Sequence, residues 1–374
     1  MATPVQQSSR FIYIDALRSF AILMMLQGHF ISTTLASEFK TTGSSLYQFW
    51  EYFRGMTAPT FFTITGFIFV FLLLKQPIQG RKNPRIKKGM KRGLQLIAWG
   101  YLLRISKEVF VGKLYPSFFY TDVLQIIGVS ILLLCGLYFL CSKRAAGLFS
   151  WLLLGATLVL FVTERAYNGM AIPYLPKELA HYFSQAGGAV FSIAPWFGYV
   201  SMGAFLATRF TRIQHRKNIR ITIAVWLLGA AVVLLFFSSE LLVFIGNYTG
   251  LTSFSNAGNF NYLFPRLGAV FVLFSLFVLA EKWLTNPVFI RIGKVTLSIY
   301  VVHHILLYGA WFHTGLNRWF ANSLSFSEAI IGAMLFLFTV CVLVLSGRDW
   351  VNATANKGLK MARSLPKKIS SFKG

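Results

Sequence analysis

Acidic side chains are scarce: Asp and Glu number 11 in 374 residues, against 36 Lys and Arg, and charged residues of either sign make up only 13%. A chain so poor in acid offers little to a proton-coupled carrier, which usually needs several carboxylates inside its spans; here only Asp15 lies well inside one. Cysteine is rare too. The 3 cysteines, Cys135, Cys141 and Cys341, show no CxxC spacing and no neighbouring histidine cluster. Neither a disulfide framework nor a thiolate metal site is expected, and no metal is predicted. Long polar stretches are missing as well, so no soluble domain remains once the apolar windows are taken out.

What is present is 56% hydrophobic and 17% aromatic, with a positive mean hydropathy. That composition predicts a polytopic membrane protein of all-α class, a transmembrane helix bundle. Windows at 11–35, 55–75, 93–112, 121–141, 145–163, 189–208, 220–238, 262–281, 293–312 and 327–346 give about ten spans, and 241–247 is short enough for a re-entrant piece. Residues 1–350 are expected to form one domain, followed by a basic tail over 351–374. The first ten residues are too short and the first window too polar for a cleaved leader, so that window is expected to be retained.

A formal charge of +25 would suggest nucleic acid in a soluble protein, but here its distribution decides. Basic residues cluster after every second window: Lys75, Arg81, Lys82, Arg85, Lys87, Lys88, Lys91 and Arg92; Lys143 and Arg144; Arg209, Arg212, Arg216, Lys217 and Arg220; Lys282, Arg291 and Lys294; and the tail. The alternate loops are poor in base, so the positive-inside rule places both termini in the cytoplasm, and no nucleic acid is required. Sequons at Asn247 and Asn352 are weak signals, the second in the expected cytoplasmic tail.

Ionisable groups at membrane depth are costly and are candidates for function. The stretch FIYIDALRSFAILMMLQGH, 11–29, carries three on one side. On a helix Arg18 and His29 fall within about 20° of each other and about 16 Å apart along the axis, with Asp15 one turn before Arg18. Asp15 is either an ion-pair partner that holds the helix in the bundle or part of a donor site with Arg18. His29, an imidazole that titrates near neutral pH, is placed to take a proton from a hydroxyl or amine. Asp122 and Gln125 share a face at the start of window 4, level with His29, where Asp122 could orient the imidazole. Thr296, Tyr300 and either His303 or His304 lie along one stripe, one histidine lining a cavity while the other packs. Arg266 could snorkel or meet an anion. In APWFGYVSMGA, Pro195 frees a carbonyl, Gly198 and Gly203 allow close approach, and Trp196 could stack on a ligand. Loop 164–188 holds Tyr167, Tyr174, His181, Tyr182 and Phe183, aromatic faces that suit either sugar stacking or an interfacial belt.

IDALRSFAILMMLQGH, with ten residues between Arg18 and His29, resembles the R-x10-H signature of integral-membrane acyltransferase family 3. The wider pattern, FRGMTAPTFFTITGF at 53–67, DVLQIIGVSILL at 122–133, APWFGYVSMGA at 194–204 and IGKVTLSIYVVHHILLYG at 292–309, more closely resembles bacterial relatives of heparan-alpha-glucosaminide N-acetyltransferase. That resemblance implies an enzyme of the bacterial inner membrane. It would move an acyl group, usually acetyl, from cytoplasmic acetyl-CoA to a hydroxyl or amine of an extracytoplasmic sugar or glycan. His29 matches the catalytic histidine, with Asp122 beside it, and Arg18 the motif arginine; Asp15, Gln125, Trp196, Arg266, Tyr300 and His303 are expected around the donor. Membrane lipids are the other expected partner, with a homo-oligomer open. A secondary transporter, with the same polar groups as a proton relay, is the rival.

Overall fold

The structure is a computed structural model that describes residues 11–364 apart from 42, 114, 143–146, 168 and 216–217; for 177 and 351–364 it describes the backbone alone. Lys143, Arg144, Arg216, Lys217, Lys367 and Lys368 of the basic clusters therefore lie outside the described residues. Among the described residues the only regular elements are helices. The principal ones are α1 (Ile12–Thr34), α2 (Ser45–Gly55), α3 (Thr57–Leu74), α4 (Pro84–Leu102), α5 (Val123–Cys141), α6 (Leu148–Val162), α7 (Ile193–Ile213), α8 (Ile219–Val232), α9 (Ser238–Thr249), α10 (Leu263–Leu279), α11 (Pro287–Lys294), α12 (Thr296–Tyr308) and α13 (Phe326–Ser364). The protein is an all-α polytopic bundle.

Each of the ten apolar windows contains helix, but the helices differ in reach. Among the described residues six are long and apolar enough to cross a membrane, or seven if the bent pair α11 and α12 counts as one span. Three windows shift against expectation. The third moves toward its basic start: Asn83 caps α4 by accepting from Arg85 N at 2.9 Å with Pro84 at its first position, and the helix ends at Leu102. What reads as a basic loop, Arg85 to Arg92, is thus the first half of a helix. The seventh window runs on through a π turn at Val233–Phe237 into α9, so 241–247 continues a helix and is no re-entrant piece. The ninth is broken at Val295, where α11 and α12 meet at 78°.

α1 occupies the middle, packed against α3, α10, α11, α12 and α13. Its first turn is fastened at one end of the bundle, where Ile12 N donates to Glu281 at 3.2 Å and Glu281 pairs with Arg220 at 2.7 Å. At this near end of the bundle α3 finishes and α4 starts, Lys75 at the end of α3 lying over the ring of Phe11. α3 and α7 lie parallel and in backbone contact: a Cβ at Gly66 would strike Val200 O, and one at Gly203 would strike Thr63 O. Gly198 similarly receives the ring of Phe161. Pro195 sits in the first turn of α7 and does not break the helix midway. On the outside, Trp226, Phe236, Phe244, Met334 and Phe338 stand exposed on α8, α9, α13 and the π turn, the apolar surface that lipid covers.

Gly293 decides how the ninth window bends. A Cβ there would strike Asp15 O, so α11 can cross α1 at backbone distance; Ser19 Oγ donates to both Asp15 O and Phe289 O at the crossing. The chain then turns at Val295, and α12 runs beside α1 toward the far end of the bundle. That turn sets Thr296 against Arg18 and His303 against His29.

Candidate active site

A cavity of about 1090 Å³ opens inside the bundle between α1, α3, α4, α5, α10 and α12. It exceeds the usual ligand pocket of about 300–1,000 Å³. Its lining runs from Arg85 and Arg92 at the near end, past Arg18, to His29, Arg54, Arg104, Asp122 and Arg266 at the far end. From Arg85 to its end at Leu102, α4 rises about 26 Å, most of the thickness of a bilayer core, and Arg104 follows just past that end.

The polar seam of α1 forms one wall. Arg18 Nη2 donates to Thr296 Oγ1 at 3.0 Å, and its Nη1 stands 3.8 Å from Asp15 Oδ1. Asp15 is buried and does not line the cavity, so it positions Arg18 and is not a ligand contact. At the other end of the seam His29 Nδ1 shares a hydrogen bond of 2.9 Å with Tyr308 Oη. This leaves Nε2 as the nitrogen that can face a ligand. Gly28, beside it, gives room for Arg54, whose Cγ would lie 3.3 Å from a Cβ at that position.

α12 supplies the facing wall. Thr296, Tyr300, His303, His304 and Tyr308 follow helical spacing, and all of them line the cavity, so both histidines do and neither merely packs. The rings of His29 and His303 are 5.4 Å apart, those of Tyr300 and His303 4.9 Å, and those of His304 and Tyr308 5.1 Å. Nδ1 of His303 and Nδ1 of His304 have no hydrogen-bond partner among the described residues, although His303 is only 1% exposed. Buried polar atoms of this kind are normally satisfied, and here they belong to the wall of a cavity large enough for a ligand.

Asp122 lines the cavity but does not hold His29. Its carboxylate pairs with Arg104 at 3.2 Å and reaches Tyr300, while Tyr308 takes the position beside the imidazole. Gln125 is also reassigned: with Asp122 it closes a capping box at the start of α5, Asp122 N donating to Gln125 Oε1 at 3.2 Å, and its amide packs on Gly100 outside the cavity. Trp196 and Arg266, both expected around the donor, line the cavity, Arg266 at the end away from Arg85 and Arg92; Trp196 packs among Phe62, Phe191 and Tyr199. The aromatic loop does not reach it. Tyr182 is bonded to Tyr101 at 2.8 Å, His181 packs on Tyr120, and Tyr174 is 95% exposed.

Sequence reasoning missed Arg54, Arg104 and Tyr308. Tyr308 had a signal: it stands four residues after His304 on the stripe already read. Arg54 stands just outside an apolar window, where a cation looks like ordinary interfacial charge, whereas Arg104 lies inside the third window as drawn and was passed over there.

The model of the heparan-alpha-glucosaminide N-acetyltransferase catalytic family matches residues 10–245, more than half of the chain. The chain belongs to that family. It is accordingly a membrane acetyltransferase that acts on carbohydrate. The matched segment carries Arg18, His29, Arg54, Arg104, Asp122 and Trp196, while Arg266 and the α12 wall lie beyond it. The likeness to acyltransferase family 3 is no part of that match. No curated protein matches the chain.

If Tyr308 orients His29, Tyr308→Phe should lower turnover about tenfold with little change in either KM, the worth of one net hydrogen bond. Steady-state kinetics in detergent check this; a change confined to thermal stability would make Tyr308 a packing residue.

Proposed function

We propose that the protein transfers an acetyl group from acetyl-CoA, admitted at the near end of the cavity, to an amine or hydroxyl of a carbohydrate that enters at the far end. The observation that carries this reading is one cavity, about 1090 Å³, that holds Arg18 and His29 on the same wall and has arginines at both ends. The nucleotide phosphates would meet Arg85 and Arg92, the pantetheine arm would pass Arg18, and the thioester would lie beside His29. The acceptor nitrogen or oxygen attacks the thioester carbonyl carbon while His29 Nε2 takes its proton. The C–S bond then breaks, and the proton passes to the CoA thiolate. In the covalent variant Nε2 itself attacks, CoA leaves, and the acceptor displaces the imidazole. A peptide containing His29 and heavier by one acetyl group, trapped with donor but no acceptor, favours that variant; an unmodified peptide favours direct attack.

Asp122 holds Arg104 and, through Tyr300, the facing wall. Asp15 and Asp122 are thus each engaged by an arginine, which favours transfer chemistry over a proton-coupled carrier. The near end is assigned to the cytoplasm of a bacterial inner membrane, because α4 carries Arg85, Lys87, Lys88, Lys91 and Arg92 there. Residues 1–350 would form the catalytic domain, with a basic cytoplasmic tail after it.

An impermeant thiol reagent should label Thr252→Cys from outside intact cells but not Lys82→Cys, both positions being exposed. Labelling of Lys82→Cys from outside would invert the orientation.

A further inference from the structure

Donor and base account for Arg18, Arg85, Arg92 and His29, but two arginines at the far end stay unused. Arg54 ends α2 and Arg266 lies in the first turn of α10, and both line the cavity. They come from different elements, and Arg266 lies against the residue that follows Arg54: a Cβ at Gly55 would stand 3.7 Å from Arg266 Nη2. Both are half-buried. Each lies over an aromatic ring, Arg54 on Trp50 at 5.6 Å and Arg266 on Tyr262 at 5.0 Å. Such faces fix the planes of the guanidinium groups without using their N–H donors. Trp50 is in turn held by its Nε1 donating to Gln27 Oε1 at 2.7 Å, so Arg54 is positioned from α1.

Among the described residues neither guanidinium has a carboxylate partner. Arg104, on the same rim, contrasts with them because Asp122 neutralises it. Glu51, which also lines this mouth, is exposed and makes no ion pair with Arg54 among the described residues. Each guanidinium is half-buried at this mouth and loses hydration with no carboxylate to compensate, a cost that an anionic ligand would remove. The CoA phosphates cannot be that ligand if the thioester is at His29 and the nucleotide at Arg85 and Arg92, since those lie at the opposite end.

Resting on the donor placement above, we propose that Arg54 and Arg266 form an oxyanion subsite for a carboxylate or phosphate borne by the acceptor sugar. The preferred acceptor is then an anionic carbohydrate. Its charge is held at the mouth while its amine or hydroxyl reaches His29 beside Arg54.

The test titrates the full chain in detergent, free and CoA-saturated, with glucuronic acid against glucose and with glucosamine 6-phosphate against glucosamine. At least one anionic sugar should bind ten times or more tighter than its neutral counterpart, whether or not CoA is bound; which one does so tells carboxylate from phosphate. Arg54→Gln with Arg266→Gln should erase the difference while CoA affinity stays within twofold, which also shows that the variant is folded. Equal binding of both pairs would overturn the subsite. So would a preference that CoA abolishes, or a CoA affinity that falls with the arginines, since either result gives them to the donor. Acetylation is read separately. An anionic glucosamine bound through the arginines but never acetylated from acetyl-CoA sinks the transfer reading and leaves the subsite standing. Acetylation of both glucosamines at equal kcat/KM, with neither pair showing a binding preference, does the reverse.

Discussion

His29→Gln should lower turnover by a factor on the order of 10² to 10⁴, with folding and acetyl-CoA binding retained. The amide keeps much of the size of the imidazole and can still bond Tyr308, but it cannot take a proton from the acceptor. A packing histidine would give the opposite pattern: normal turnover per folded molecule and a lower melting temperature. Kinetics and thermal melting on the same preparation separate the two. Near-normal turnover would move the base to His303 or His304, whose rings share the cavity wall and whose Nδ1 atoms have no partner among the described residues.

Arg18→Ala should weaken acetyl-CoA binding ten- to a hundredfold, a loss of about 1.5–3 kcal/mol for hydrogen bonds to a charged group. Arg18→Lys should recover little. The present geometry uses Nη2 for Thr296 and turns Nη1 toward Asp15, and a single ammonium cannot reproduce that planar fork. Isothermal titration of CoA against both variants checks this. Unchanged affinity in both would leave Arg18 as a structural link between α1 and α12. Because Asp15 would then be a buried carboxylate without its arginine, Arg18→Ala is also expected to lower stability, so affinity is to be read per folded molecule.

The central seam was legible because charge inside an apolar run stands out. Arg18 and His29 could be placed on one helix face from spacing alone, and the structure sets both on the cavity wall. The stripe on α12 was legible for the same reason, by its period. What faces that seam was less so. The break at Val295 depends on Gly293 passing over Asp15 O, a contact between residues far apart in sequence that no local pattern announces. Gln125 shows a different failure. An Asp followed three residues later by Gln, before an apolar run, is a capping signature, and here the local reading was right where the functional one was not. The third window was misplaced because Asn83 and Pro84 read as loop residues, although the same pair is a helix start. Arg54 was overlooked because α2 is amphipathic and lies outside every apolar window; its importance comes from Gly28 and Gly55, which let α1, α2 and α10 meet.

The claim that joins these parts is that one cavity carries acetyl from one side of the membrane to the other through His29. It is tested most directly with purified protein in sealed vesicles, radiolabelled acetyl-CoA supplied outside and a disaccharide with a terminal α-glucosaminide enclosed within. The account predicts acetylated sugar inside and free CoA outside with the wild-type chain, and neither above background with His29→Gln. Acetylated sugar that forms only when donor and acceptor share one side, or that forms equally with His29→Gln, would contradict it.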